Sequence, residues 1–229
     1  MRIHGFQKLT LLDFPGKMAC IVFTGGCNFV CPFCHNSRLI ADKDLPSIAE
    51  EEVLDYLKKR AGILEGVVIS GGEPLLQPDL KEFLTKIKAL GYPVKLDTNG
   101  SIPDRLEELV NAGLIDYIAM DIKNSPAKYA LTAGLESIDI GKIKRSVEII
   151  MNSGIDYEFR TTVIKEFHEQ ADFEKIGRWL TGAKAFFLQN FRDSEGVVYD
   201  GLHPVSKNDL IDAKNILNRY IVNVSIRGE

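Results

Sequence analysis

Short apolar runs rich in β-branched residues alternate along this chain with longer stretches whose apolar positions recur roughly every three to four residues. The runs at 18–24, 66–70, 93–97, 115–121, 156–163 and 185–190 predict strands. The stretches at 78–90, 103–112, 141–153 and 170–182 predict amphipathic helices, and Gly91, Gly113 and Gly154 stand where three of them should stop. An earlier helix is expected to open at Ser47, with Glu50 three residues on completing a capping box, and to run to about Arg60. Residues 206–219 predict a last helix, and 221–227 an extra edge strand.

Strands joined by helices of this length imply right-handed crossovers and a parallel sheet. Six strand–helix repeats are too few for a closed eight-stranded barrel. Two α/β solutions remain, a partial (β/α)6 barrel with parallel strands or a doubly wound sheet, and both gather chemistry at the carboxyl ends of the strands. With 229 residues and no long linker, low-complexity tract or internal repeat, a single domain over 1–229 is expected.

Composition narrows the function classes. A hydrophobic share of 45%, a charged share of 26% and a net charge of −4 suit a globular protein, and no basic run suggests nucleic acid. No apolar run reaches the ~18 residues of a membrane span and no signal core opens the chain, so a cytoplasmic protein is expected. In a reducing compartment clustered thiols read as ligands or catalysts. Three of the four cysteines, Cys27, Cys31 and Cys34, fall within eight residues. That spacing suits metal ligation rather than disulfides. Three thiolates could hold zinc with His35 or Cys20 as fourth ligand, or an iron–sulfur cube with one iron left open.

The other unusual residues follow successive strands. Ser70-Gly71-Gly72-Glu73-Pro74 comes after the second, Asp97-Thr98-Asn99-Gly100 after the third, Asp121-Ile122-Lys123 at the end of the fourth, and Arg160-Thr161-Thr162 in the fifth. Each has a plain alternative. The glycine pair could be a tight turn, Asp97 and Asn99 an Asx turn, and Asp121 with Lys123 a surface ion pair on one strand face. Cys20 lies inside a strand as a small hydrophobe, Trp179 reads as core, and His4 and His168 read as surface residues. Unrelated turns and ion pairs have no reason to fall on consecutive strand ends beside three thiols, so together these groups outline one site.

These residues resemble the radical S-adenosylmethionine superfamily, whose signature C-x3-C-x-aromatic-C matches Cys27, Cys31, Phe33 and Cys34, and whose Gly-Gly-Glu-Pro matches residues 71–74. Within it, Cys34-His35-Asn36, Asp97-Thr98-Asn99-Gly100, Asp121-Ile122-Lys123 and Asp13-Phe14-Pro15-Gly16 resemble the glycyl-radical-enzyme activases. The run Leu12–Lys17 and the short length are most similar to the activases of anaerobic ribonucleoside-triphosphate reductases. The resemblance implies a partial barrel with a [4Fe–4S] cluster on Cys27, Cys31 and Cys34, whose open iron chelates S-adenosylmethionine. It implies Gly71, Gly72 and Glu73 at the methionyl amino group with Pro74 shaping the turn, Lys123 at the carboxylate, and Phe33 beside the adenine. Asp97, Asn99, Asp121 and Arg160 are expected around the rest of the cofactor, with a monovalent cation near Asp97 and Asp121. Asp13 is expected to meet the glycine-bearing loop of a partner reductase, in a substrate-side segment over 1–17.

The pattern also departs from the family. With only Cys20 left over, no second cluster is expected, so the electron is expected from a flavodoxin or ferredoxin. Formate-lyase activases place a histidine after the sixth strand to reach the cofactor carboxylate, where this chain reads Leu188-Gln189-Asn190-Phe191-Arg192, so Gln189 or Arg192 is expected to bind the cofactor in its stead. Phe14 stands where a smaller residue is common.

Overall fold

A computed structural model of the chain describes residues 1–41, 45–193, 197 and 199–228. Eight strands form one sheet: β1 (Ile3–Thr10), β2 (Ala19–Thr24), β3 (Gly66–Gly71), β4 (Val94–Thr98), β5 (Tyr117–Asp121), β6 (Asp156–Val163), β7 (Ala185–Asn190) and β8 (Asn223–Arg227). Their spatial order is their chain order. The β1–β2 pair is antiparallel and every later pair is parallel. A doubly wound sheet reverses direction at a switch point. This one never does, so the sheet curls into an open partial barrel with β1 and β8 on its edges.

Helices α1 (Arg38–Ala41), α2 (Glu50–Lys59), α3 (Leu80–Ala89), α4 (Pro103–Asn111), α5 (Tyr129–Thr132), α6 (Ile140–Asn152), α7 (Gln170–Trp179) and α8 (Lys207–Leu217) fill the connections. The expected strands and long helices are all present, including the parallel edge strand β8. The capping box at Ser47 is not: α2 starts one residue past Ala49, which makes no side-chain cap bond. Three glutamates in the first turn complement the helix dipole there instead. Reciprocal boxes occur at Glu169 with Asp172 and at Ser206 with Asp209. The antiparallel strand β1 carried no sequence signal, because Gly5 and a polar stretch break its period and two register shifts interrupt its ladder.

The two faces of the sheet bury different things. Cys20, Val22, Val67, Ile69, Leu96, Ile118 and Phe159 face the helices in the large core, with Trp179 packed at its margin. The inner face holds a small apolar plug of Phe14, Ala19, Ile21 and Val68, bordered by Phe23 and Tyr117. Phe14 reaches this lumen from the segment after β1, and Gly66 leaves room for its ring. Burying such an aromatic side chain stabilises by roughly 1.5–3 kcal/mol, enough to tie the N-terminal segment to the barrel. Above the plug the lumen turns polar. Lys95 and Asp97 of β4, and Glu158 and Arg160 of β6, point inward by strand alternation. Glu158 is fully buried, takes both guanidinium nitrogens of Arg227 at 2.7 Å and accepts from the Tyr117 hydroxyl at 3.0 Å. No helix among the described residues is long and apolar enough to cross a membrane.

Candidate active site

The loop after β2 carries the three thiols and is pinned at several points. The Gly25 amide donates to the Arg2 carbonyl at 3.0 Å, and the Gln77 side chain to the Gly25 carbonyl at 2.7 Å. Gly26 donates to Leu39 at 2.7 Å, and Val30 to Ala133 at 3.1 Å. Backbone bonds of this kind fix the loop before any ligand arrives. Gly134, in the left-handed region at φ 71°, presses against the Val30 carbonyl, where a Cβ has no room.

The glycine pair lies directly on this loop. The Gly72 amide donates to the Thr24 carbonyl at 2.9 Å, and the Glu73 amide to the Gly26 carbonyl at 2.8 Å. A Cβ on Gly72 collides with that same Gly26 carbonyl, so close backbone approach, not turn geometry alone, demands glycine here. The Glu73 carboxylate turns away from the cavity. Fully buried, it accepts from the Leu75 amide at 3.0 Å, the Thr98 hydroxyl at 2.9 Å and the Asn99 amide at 2.6 Å. Burial pushes its pKa up to about 7 despite these donors. Its side chain ties the loop after β3 to the end of β4, and Pro74 is buried behind it.

Cys27, Cys31 and Cys34 line one cavity of about 830 Å³, counting its open mouth, together with Gly71, Gly72, Phe33, Asp97, Asn99, Asp121, Lys123 and Arg160. Burial pushes the Cys27 thiol up to about 12 and raises Cys31 and Cys34 as well, with Lys123 as an opposing cation. Among the described residues no three His, Cys, Asp or Glu side chains converge on the point a single metal ion needs. Cys20 is no candidate for a fourth ligand, since it faces the helix-side core and burial holds its thiol up at about 12. His35 does reach the cavity, with its ring stacked against Phe191 at 6.0 Å. One buried and two half-buried thiols on a cavity wide enough for more than one ion fit an iron–sulfur cube, which spreads its thiolates over separate irons.

The charged groups form one chain of contacts. Arg160 donates from Nε to Asp121 at 2.8 Å and faces Asp97 at 3.4 Å. Lys123 donates to Asp121 at 3.0 Å, and the Lys95 ammonium pairs with Asp97. Burial alone would raise both carboxyls, but Arg160 and the lysines outweigh it and hold each below the usual carboxylate range. Lys123 is half-buried, and Asp121 keeps it firmly charged. Asn99 accepts the Ser101 amide at 2.9 Å, the expected Asx turn, while its amide nitrogen donates to Asn28 at 2.9 Å.

His168 is not a surface residue. It is buried, its Nδ1 accepts the Ile164 amide at 3.2 Å, and its Nε2 donates to the Lys123 carbonyl at 2.9 Å. Its ring stacks on Phe173, and it anchors the backbone that presents Lys123. His4 lies half-buried, its Nδ1 3.0 Å from the Pro46 carbonyl. Asp13 and Gln189 lie outside the thiol cavity, in a second opening of about 1330 Å³ with Leu12, Arg192 and Arg227. His35, Arg160 and Thr162 line both and form a shared wall. Sequence reasoning passed over Lys95 and His168. Strand alternation with Asp97 could have flagged the first, whereas nothing local marks His168.

This arrangement defines a class. The chain matches the family model of the Radical SAM superfamily over residues 21–180 and belongs to that superfamily. Membership implies a [4Fe–4S] cluster and S-adenosylmethionine. The chain is similar, at 32% identity over 98% of its length and 95% of the relative's, to a putative glycyl-radical enzyme activating enzyme of Methanocaldococcus jannaschii. A pyruvate formate-lyase-activating enzyme of Listeria monocytogenes is 34% identical over 56% of each chain. In fold, Streptococcus suis SuiB bound to its precursor peptide aligns with TM-score 0.69 at 15% identity, covering 91% of this chain and 48% of that one. The protein anSMEcpe with bound AdoMet aligns at 0.63 and 19% identity, covering 89% and 61%.

Proposed function

We propose that this protein is the activating enzyme of a glycyl radical enzyme, and that its partner is an anaerobic ribonucleoside-triphosphate reductase. One observation carries the reading: a cavity holding three thiols, the glycine pair and the Asp121–Lys123 pair shares a wall with a second opening that holds Asp13. Cys27, Cys31 and Cys34 hold the cluster. The chemistry supplied there is one-electron cleavage of S-adenosylmethionine, ending in hydrogen-atom abstraction from a partner's glycine. The residues of this chain bind and orient. Gly71 and Gly72 bring backbone against the methionyl amino group, while Glu73 acts from behind by joining the two loops. Lys123 meets the cofactor carboxylate, Phe33 flanks the adenine, and Asn99 closes the ribose side. Fixing the sulfonium in one place converts an encounter into a positioned step.

Asp13, in the second opening, is assigned to the partner's glycine loop. The exposed Leu9, Leu11 and Leu12 beside Asp13 support a protein rather than a small molecule as the occupant. Residues 1–229 act as a single cytoplasmic domain, reduced by a flavodoxin or ferredoxin. The near full-length alignment with the M. jannaschii protein, against half-length matches to formate-lyase activases, supports a partner other than pyruvate formate-lyase. The monovalent cation expected at Asp97 and Asp121 fits less well, because donors already meet those carboxylates.

The test is anaerobic reconstitution followed by iron analysis and measurement of 5′-deoxyadenosine. About four irons per chain are expected. Cys31→Ala should lose both iron and cleavage, and cleavage at the normal rate in that variant overturns the ligand set. A glycyl radical signal on the reductase, and none on a formate-lyase, identifies the partner.

A further inference from the structure

The carboxylates of Asp97 and Asp121 have no free oxygen. Asp97 Oδ1 pairs with the Lys95 ammonium, and its Oδ2 accepts from the Ser70 hydroxyl at 3.0 Å and faces Arg160 at 3.4 Å. Asp121 Oδ1 accepts from Arg160 at 2.8 Å, and its Oδ2 from Lys123 at 3.0 Å. Three cationic side chains thus meet two carboxylates, and a further cation placed between them would sit against like charges.

Lys123 and Arg160 lie on the cavity wall, where a cofactor carboxylate can claim part of their charge. Lys95 does not line that wall. Its side chain is 1% exposed and runs up the lumen, with the ammonium 6.0 Å from the Tyr117 ring. Strand alternation puts it on the face of Asp97, two residues on. An alkylammonium head matches a potassium ion in charge and nearly in size, and differs by being tethered.

We infer that Lys95 is the resident counter-ion of Asp97, as Lys123 and Arg160 are of Asp121, so that this chain binds its cofactor without a free monovalent cation. The inference rests on the proposed cofactor site. A covalently supplied charge costs no capture from solution and keeps the site assembled at any salt composition.

The experiment is calorimetric binding of S-adenosylmethionine to the anaerobically reconstituted protein, in potassium chloride and in tetramethylammonium chloride at equal ionic strength. The two dissociation constants should agree within about twofold, and weakening of more than about fivefold without potassium overturns the inference. Lys95→Met, which keeps length and loses charge, should bind about tenfold or more weakly in tetramethylammonium and recover in potassium. A Lys95→Met protein indifferent to the salt also overturns it. The unfolding temperature of reconstituted wild type, measured without cofactor in the same salts, decides independently. Equal temperatures support a resident counter-ion, and a rise specific to potassium refutes it. Absence of cofactor binding in both salts would instead remove the cofactor reading, leaving the unfolding comparison to judge Lys95.

Discussion

The two openings that share a wall are built in opposite ways. In the thiol cavity the carboxylates are committed, Asp97 and Asp121 to Ser70, Arg160 and two lysines, and behind its wall Glu73 is held by two amides and a hydroxyl. In the second opening Leu12 is 86% exposed and Asp13 is exposed, with Thr10 as its hydrogen-bond partner. The first holds its geometry before a ligand arrives, as a small molecule bound at many points requires. The second leaves apolar side chains exposed beside charged ones, as expected where a macromolecule supplies the other half.

The sharpest way to break this contrast is at Gly72. Gly72→Ala forces the Gly26 carbonyl away, with an expected cost of about 4 kcal/mol or more and loss of cluster incorporation. A variant that loads normal iron would show that the cavity is not rigid. Phe14→Ala attacks the link between the two regions. Emptying the plug should cost about 3–5 kcal/mol in denaturant unfolding, while S-adenosylmethionine binding persists and glycyl radical yield falls. Equal losses of binding and radical yield would mean that the plug supports both openings alike.

His168→Phe removes the donor to the Lys123 carbonyl and should destabilise by about 1–2 kcal/mol near neutral pH. Burial lowers the His168 pKa, with Asp172 and Lys128 as nearby charges. The unfolded chain therefore takes up a proton that the folded imidazole resists. The neutral imidazole contributes stability above the ordinary histidine value of about 6.5, lost as the pH falls toward the folded value. Thermal unfolding of wild type should thus weaken more steeply on acidification than that of the variant. The smallest structural effect belongs to Leu12→Ser, within about 0.5 kcal/mol by unfolding and neutral for cofactor cleavage. Only activation of the partner should suffer, and a change in cleavage without partner would merge the two regions.

The parallel strands were legible because each is a compact β-branched run between helices whose apolar face repeats. The lining of the thiol cavity was legible because its residues follow consecutive strand ends. What escaped depended on partners distant in sequence. β1 shows no period because Gly5 must admit the Phe23 side chain. His168 looks like a polar residue before a helix, and only the folded chain brings it beneath Lys123. Glu73 looks like a ligand in its motif, yet its carboxylate serves the backbone of two loops. The cation expected at Asp97 came with the resemblance, whereas Lys95 is a property of this chain.

The shared wall of His35, Arg160 and Thr162 also bears on how such a protein can diverge. Any change there is felt on both sides at once, which makes it a poor place for variation. The outer surface around Leu9, Leu11, Leu12 and Arg192 carries no such double duty. A lineage can therefore exchange one client protein for another by rewriting that rim, while the reaction behind the wall is inherited unaltered.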